Sequence, residues 1–311
     1  MRIFSSDEVE RLLDYPSLIQ KLHDSFSEDC TVPIRQRYNL PGGINSSMLI
    51  KPAWREGGPV LVKIVSVFPN NGENNLPSVN GVVLLFDRAT GVPVAVLDGR
   101  TLTNRRTAAT SALASRFLAR EDSSTHLIVG TGQVAFELAR AYRTIRPIRK
   151  TLVWGRNSEK AALFVRQLCS VGVAATLSKN LRAATEVSDI ISCATLSIDP
   201  LIKGDWLSPG AHLDLVGGYR PDMREADDVA ITRCRIYVDT REGALSEAGD
   251  LTQPIGEGLI SSEVLEGELS DVCKGIATGR QNPEECTLFK SVGSALEDLA
   301  AAELVWDRTR K

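Results

Sequence analysis

The sequence predicts an α/β protein in two parts, a Rossmann dinucleotide-binding domain preceded by a β-rich α+β segment. Three observations predict it. Residues 126–135, HLIVGTGQVA, run from a short apolar strand through a Gly-x-Gly-x-x-Ala turn into a helix. From Ser124 onward, apolar strand-like runs alternate with helical patterns, as in a mostly parallel sheet. Before that point, four strand-like runs lie between residues 46 and 99, too many for a nucleotide-binding fold to have begun.

The elements follow in chain order. Ser5 and Glu8 have capping-box spacing, and Leu18, Leu22 and Phe26 form an apolar stripe on a second helix. Strands are expected at 46–51, 60–68, 81–87 and 92–99, the last two joined by a hairpin turn over Arg88–Gly91. TLTNRRTAATSALASRFLA, 101–119, reads as a helix rich in small residues that packs closely against a neighbour. Then come the 126–130 strand, a helix over 136–145, a buried strand at 151–155 and a helix that Asn157 can cap. That βαβ unit has the expected length of roughly 30 residues. Further strands are read at 189–195, 211–218 and 235–239, and a last helix within 291–308, with Leu296, Leu299, Ala300 and Leu304 at helical spacing. The expected domains are 1–119 with 290–311, and 120–289.

Composition narrows the function classes. The chain has 311 residues, 43% of them hydrophobic and 24% charged, with a net charge of −3. That supports a sizeable core and gives no reason to expect nucleic acid or an anionic membrane as partner. No apolar run approaches the roughly 20 residues of a membrane span, and MRIFSSDEVERLL lacks the shape of a signal peptide, so a cytoplasmic protein is expected. The cysteines at 30, 169, 193, 234, 273 and 286 include no C-x-x-C pair, so neither a metal site nor a disulfide framework is expected. Of the three histidines, His126 and His212 fall at strand starts, which leaves little support for a catalytic histidine.

In the glycine turn, Gly130 permits the tight bend, Gly132 lets phosphates approach bare backbone, and Ala135 allows close helix–strand packing. The helix N-terminus offers N–H groups and a positive dipole end to the anion. Expected cofactor contacts here are Gly130, Thr131, Gly132, Gln133 and Val134. The next strand ends in Trp154, Gly155, Arg156 and Asn157, with no carboxylate until Glu159. A carboxylate at that place bonds the ribose 2′-OH of NAD, whereas arginine can fork onto a 2′-phosphate, so NADPH is expected over NADH. Ala194, Thr195, Leu196, Val216 and Gly217, at the ends of later strands, complete the expected crevice.

Four basic residues could hold a small acid. Lys63 sits inside VLVKIVSVF, where burial would lower its pKa into a useful range, although a solvated edge lysine reads equally well. Arg106 precedes small residues in TNRRTAA and can grip a carboxylate bidentately; Arg105 is its neighbour, and one of the pair must face away. Arg35 and Arg37 alternate with apolar residues in VPIRQRYNLP.

Taken together, PIR (33–35), KIVSVFPNN (63–71), LPSVNGVVLLFDRATGVPVAVLDG (76–99), LTNRRTAATSA (102–112), GTGQVA (130–135), GAHLDLVGGYRPDMREAD (210–227) and LFKSVGSALEDLAAA (288–302) resemble the ornithine cyclodeaminase/mu-crystallin family along nearly the whole chain. The resemblance implies a β-rich domain that binds substrate and forms a homodimer, and a Rossmann domain that binds the cofactor. It places Arg35, Lys63 and Arg106 at the substrate carboxylate, Asn80 on the substrate side, and Val292 and Gly293 near nicotinamide. Arg106 and Thr107 are counted among the cofactor contacts too. Where cyclodeaminases of the family carry an aspartate in Gly-Gly-Asp-x-Pro-Gly-Lys, this chain has Tyr219 in GGYRPDMRE. A phenol is a far weaker acid than a carboxyl, which points to the reductase branch.

The expected reaction is reduction of a cyclic ketimine acid, Δ1-pyrroline-2-carboxylate or Δ1-piperideine-2-carboxylate, to L-proline or L-pipecolate by NAD(P)H. Lys63 or a held water is the expected proton donor. The rivals are an ornithine cyclodeaminase, an alanine-type amino-acid dehydrogenase, and a non-enzymatic ligand-binding protein of the mu-crystallin kind.

Overall fold

The computed structural model describes residues 1–40, 46–74, 76, 77 and 79–310. It resolves into two compact units, Met1–Thr107 with Ser294–Lys311, and Ala108–Gly293. The divisions fall at 107/108 and 293/294, where the sequence reading places them at 119/120 and 289/290.

The first unit opens with β1 (Arg2–Phe4), α1 (Ser6–Leu12) and α2 (Tyr15–Ser27). Ser5 and Glu8 form both halves of the capping box, and Asp14 caps α2 by accepting from Ser17 N–H at 3.0 Å. Leu18, Leu22 and Phe26 are all buried. Then follow β2 (Gln36–Asn39), β3 (Ser47–Trp54), β4 (Val60–Val67), β5 (Val79–Phe86), β6 (Pro93–Asp98) and α3 (Gly99–Leu118). The sheet order is β1-β6-β5-β4-β3-β2, antiparallel except where β1 joins β6. In the expected hairpin, Gly91 takes φ +69° and Asp87 accepts from Thr90 N–H and Oγ1–H. The helix that closes the chain packs on α2, β3, β4 and β5, so one face of this sheet is covered by residues from the far end of the sequence.

Through its first half α3 belongs to this unit; from Ala108 it belongs to the second. A buried polar network ties the second half of α3 into that unit. Ser111 Oγ donates to Asp214 Oδ1, while Tyr142 OH and Ser192 Oγ donate to Asp214 Oδ2, at 2.8–2.9 Å. His126 Nε2 lies 2.9 Å from Ser192 Oγ, and burial pushes the ring down to about 3. That keeps the imidazole neutral inside the fold, a structural role rather than an acid–base one.

The second unit continues with β7 (Thr125–Val129), α4 (Gln133–Ala141), β8 (Lys150–Trp154), α5 (Ser158–Ser170), β9 (Ala175–Leu177), α6 (Leu181–Glu186), β10 (Ile190–Cys193) and β11 (His212–Leu215). It is completed by α7 (Asp228–Arg233), β12 (Arg235–Val238), α8 (Arg241–Glu247), α9 (Gly249–Gly256), β13 (Leu265–Glu268), α10 (Leu269–Cys273) and β14 (Thr287–Lys290); α11 (Ala295–Asp307) is the closing helix of the first unit. All eight strands are parallel, in the order β13-β12-β14-β11-β10-β7-β8-β9. The central strands are buried on both faces, so the polar side chains they carry, His126, Ser192, His212 and Asp214, lie inside the fold beside the apolar ones.

Sequence periodicity does not reveal β14. It is four residues long and inserts between β11 and β12, although it comes last of the eight in the chain. Among the described residues, no helix is long and apolar enough to cross a membrane.

Candidate functional site

The chain runs β7, β8, β9 towards one edge of the parallel sheet and then returns to β10 on the other side of β7. That reversal is the topological switch point, where open α/β sheets form a crevice at the carboxyl ends of the strands. Gly130 ends β7 there with φ +122°, and its N–H donates to Trp154 O at 2.9 Å. A Cβ on Gly130 would lie 2.6 Å from Ala194 O, so the two strand ends close only on glycine. Thr131 follows, half-buried, and Gly132 is the N-cap of α4, with no side chain capping the helix. A Cβ on Gly132 would meet nothing within 4 Å, so the space before the helix is open. The first intrahelical bond is Phe136 N–H to Gly132 O, and the N–H groups of Gln133, Val134 and Ala135 precede it. An open, backbone-lined helix start of this kind fits a pyrophosphate.

Beside it, β8 ends in half-buried Trp154 and Gly155, followed by exposed Arg156 and Asn157. Asn157 spends its side-chain oxygen on Lys160 N–H at 2.9 Å, as expected for a cap. Arg156 carries an exposed guanidinium at this strand end.

The sequence reading did not identify what holds the crevice in shape. Glu225 is fully buried and accepts from Thr195 N–H and Oγ1–H through one oxygen, at 2.7 and 2.8 Å, and from Gly217 N–H through the other, at 2.7 Å. One carboxylate therefore ties together the loops that leave β10 and β11. Burial raises its pKa, with Lys290 opposing and Asp250 adding to the shift. Asp250 in turn accepts from Glu225 N–H and, through its other oxygen, pairs with buried Lys290 at 3.1 Å. Gly217 and Gly218 are needed because a Cβ would lie 2.3 Å from Glu225 and 2.7 Å from Asp250, respectively. Ala194 and Val216 are half-buried on the same loops, and Leu196 is exposed. Val292 and Gly293 both donate their N–H to Asp239 Oδ2, at 2.7 and 2.6 Å, which fixes the loop that follows β14.

In the first unit the register of the sheet assembles a different group. Lys51 on β3 and Lys63 on β4 are direct partners, and Lys63 is opposite Val83 on β5. All three are buried, on the face shared with Ala53, Leu61 and Leu85. Lys63 Nζ donates to Asp298 Oδ1 at 2.8 Å and to Thr103 Oγ1 at 2.7 Å. Arg106 donates from Nε to the same Asp298 oxygen at 2.9 Å and from Nη1 to Glu297 Oε2 at 2.6 Å. Burial pushes Lys63 down to about 8, against the pull of Asp298. It pushes Lys51 down to about 7, again against Asp298 and with help from Lys63, Arg106 and Arg35. Asp298 is held well below the usual carboxylate range: burial opposes ionisation, but Arg106, Lys63 and Lys51 outweigh it. Its second oxygen is buried and has no hydrogen-bond partner among the described residues.

Lys63 and Arg106 thus stand together, and Arg35 is close enough to act on Lys51. Asn80 does not join them. It alternates with Val83 along β5, is exposed on the opposite face, and donates to Pro77 O at 3.0 Å. Of the two neighbouring arginines Arg105 is the one that faces away: it is buried, donates to Leu13 O at 2.8 Å and stacks over Tyr15. The two arginines diverge because successive helix residues point about 100° apart. Thr107 is buried one residue further along α3. Lys51, Glu297 and Asp298 carry no sequence signal of their own as site residues, beyond the presence of the latter two in the SALEDLAAA stretch.

The chain matches the ornithine cyclodeaminase/mu-crystallin family over residues 6–311. It belongs to that family. An uncharacterised protein of Schizosaccharomyces pombe is 44% identical over 98% of this chain and 96% of its own length. The Δ1-pyrroline-2-carboxylate reductase of Colwellia psychrerythraea is 37% identical over 99% of each chain. Among solved structures, Thermococcus litoralis Δ1-pyrroline-2-carboxylate reductase in complex with NADH and L-proline superposes with a TM-score of 0.95, at 34% identity, over 100% of this chain and 98% of that one. An archaeal alanine dehydrogenase dimer with bound NAD gives 0.92 at 26% identity, over 99% and 95%. In this family member Tyr219 is exposed, on the loop that leads to the Arg220–Asp222 ion pair.

Proposed function

We propose that the chain reduces a cyclic ketimine acid, Δ1-pyrroline-2-carboxylate or its six-membered homologue Δ1-piperideine-2-carboxylate, to L-proline or L-pipecolate. NADPH is the preferred cofactor and NADH a usable one. Relatives named for this activity support the reading, and within the structure a single observation carries it: Lys63 and Arg106 are buried around one carboxylate oxygen, with Lys51 beside them.

An ammonium has three protons to donate, and Lys63 gives two of them to Asp298 and Thr103. The third is the one we assign to substrate, first as a contact to the acid and then as a proton for the ring nitrogen. A pKa near 8 suits that task, since a general acid works best when it titrates close to the working pH. Arg106 uses Nε and Nη1 in its ion pairs, and its remaining guanidinium donors orient the substrate carboxylate. Arg35 adds a further cation. Asp298 and Glu297 keep these cations charged and fixed in the absence of substrate. In the second unit, the turn from Gly130 to Gln133 holds the pyrophosphate, Arg156 takes the 2′-phosphate, and Glu225 steadies the loops that line the crevice. Held by these residues, a nicotinamide dinucleotide would supply hydride chemistry for the imine carbon.

Each imine with NADPH, and separately ornithine with NAD, are the deciding assays. Rapid NADPH loss with the imines alone is expected. Release of ammonia from ornithine without net change in cofactor would overturn the reading in favour of a cyclodeaminase.

The reading includes a homodimer. The outer face of the six-stranded sheet carries Ile50, Val62, Ile64, Val82, Leu84 and Val96, whose register sets them opposite the buried face. An antiparallel sheet with one wet face alternates apolar with polar residues, and this one does not. A second copy of the chain is the occupant we assign. Val82→Glu with Ile64→Glu is expected to give a monomer in sedimentation velocity, and an unchanged dimer would reject this face.

A further inference from the structure

We propose that Cys234 and Cys286 form a peroxide-reactive thiol pair that closes to a disulfide between β12 and β14. The strands are parallel neighbours with Arg235 opposite Thr287, so the cysteines one residue earlier are opposite each other as well. Arg235 N–H donates to Cys286 O at 2.9 Å, which ties the two backbones together at this point. Neighbouring strands lie about 4.8 Å apart, inside the Cα separation of about 4.4–6.8 Å that a disulfide spans.

Basic side chains surround one sulfur of the pair, Cys286, whose thiol donates to Ser208 O at 3.5 Å. Arg280 donates from Nη1 to Glu285 O at 2.6 Å and from Nη2 to Thr287 Oγ1 at 3.1 Å, the residues on either side of Cys286. A hydrogen bond from Cys234 pulls Cys286 down to about 6, with Arg233 and Arg280 acting in the same direction against burial. The opposite holds elsewhere: burial raises the thiols of Cys30 and Cys193, and pushes Cys273 up to about 12. Both members of the pair are buried, at 8% and 6% exposure, so a small oxidant suits them better than a protein one. Neither takes part in the proposed reduction, and nothing in that reading depends on them.

The chemistry balances with hydrogen peroxide as oxidant. The Cys286 thiolate attacks one peroxide oxygen; the S–O bond forms, the O–O bond breaks, and the departing hydroxide takes a proton to leave as water. Cys234 then attacks the Cys286 sulfenic sulfur. The S–S bond forms, the S–O bond breaks, and the proton lost by Cys234 leaves with hydroxide as a second water. Two thiols are oxidised and one peroxide is reduced; a dithiol reductant reverses the change.

The test is treatment of the native protein with hydrogen peroxide, followed by alkylation and peptide mapping before and after reduction. The expected product is a 234–286 cross-linked peptide that disappears on reduction, with Cys193 still alkylatable after denaturation. In Cys234→Ser, a sulfenic-acid trap should label Cys286; in Cys286→Ser, neither cross-link nor label should form at 234. Oxidation confined to exposed Cys169, with 234 and 286 both recovered as thiols, would overturn the proposal. That readout comes from the unmutated protein, so a variant that fails to fold does not protect the idea.

Discussion

Lys51 and Lys63 are direct partners across β3 and β4, two ammonium groups held on one buried face. Such a pair is costly to bury, and the cost is expressed as titration near neutrality. If protonated Lys63 delivers the ring proton, kcat/KM for imine reduction should fall as pH rises through about 8. Lys63→Ala should lower kcat/KM by roughly 10²–10⁴ and remove that limb of the profile.

The same pair makes a prediction about stability. Both lysines titrate lower in the fold than their ordinary 10.5. Between about 7 and 10.5 the unfolded chain therefore binds more protons than the folded one, and stability should rise with pH over that window. Equivalently, the contribution is full above 10.5 and lost as pH falls through the folded values. Lys51→Met should flatten this dependence in Tm measured against pH.

Asp298 runs the opposite way. Its carboxyl is depressed in the fold, so its contribution is present above the ordinary 3.8 and lost as pH falls towards its folded value. Asp298→Asn removes the charge facing two buried cations and should cost about 3–5 kcal/mol in denaturant unfolding. A variant as stable as the parent would show that the ion pairs carry no net weight.

The two glycines of the turn should separate folding from binding. Gly130→Ala meets Ala194 O at a positive φ, and should lower Tm by strain of about 1–3 kcal/mol. Gly132→Ala has open space and an extended φ of −89°, so its Tm should stay within about 0.5 kcal/mol of the parent. The added methyl nevertheless faces the expected phosphate path. Dinucleotide Kd, read by fluorescence, should weaken at least tenfold in Gly132→Ala.

If Arg156 meets a 2′-phosphate as proposed, cofactor choice turns on it. Loss of a charge-assisted bond is worth about 1.5–3 kcal/mol, so Arg156→Ala should raise KM for NADPH about tenfold or more and leave KM for NADH nearly unchanged. Equal effects on both cofactors would remove Arg156 from the 2′-phosphate.

Much of this was legible along the chain because it rests on local rules. The capping box of Ser5 and Glu8, the stripe of Leu18, Leu22 and Phe26, the hairpin closed by Gly91 and the turn at Gly130 each depend on a few consecutive residues. The long-range pairings were not legible. β14 is too short to show a period, and its place between β11 and β12 follows from sheet topology. Asn80 falls away from the cluster because alternation along β5 sends it to the other face, a parity that a motif does not state.

By itself, then, the sequence determined the fold class, the family and three of the basic residues, Arg35, Lys63 and Arg106, since these follow from periodicity, turn chemistry and motif, whereas Lys51 did not show. Tertiary structure alone decided which charges share a buried space. Asp298 lies 235 residues from Lys63 and 192 from Arg106 and still accepts from both, while Glu225 joins two strand ends through one carboxylate. The physical reason is desolvation: a buried charge must find its partner wherever the fold brings one, and separation along the chain has no bearing on that.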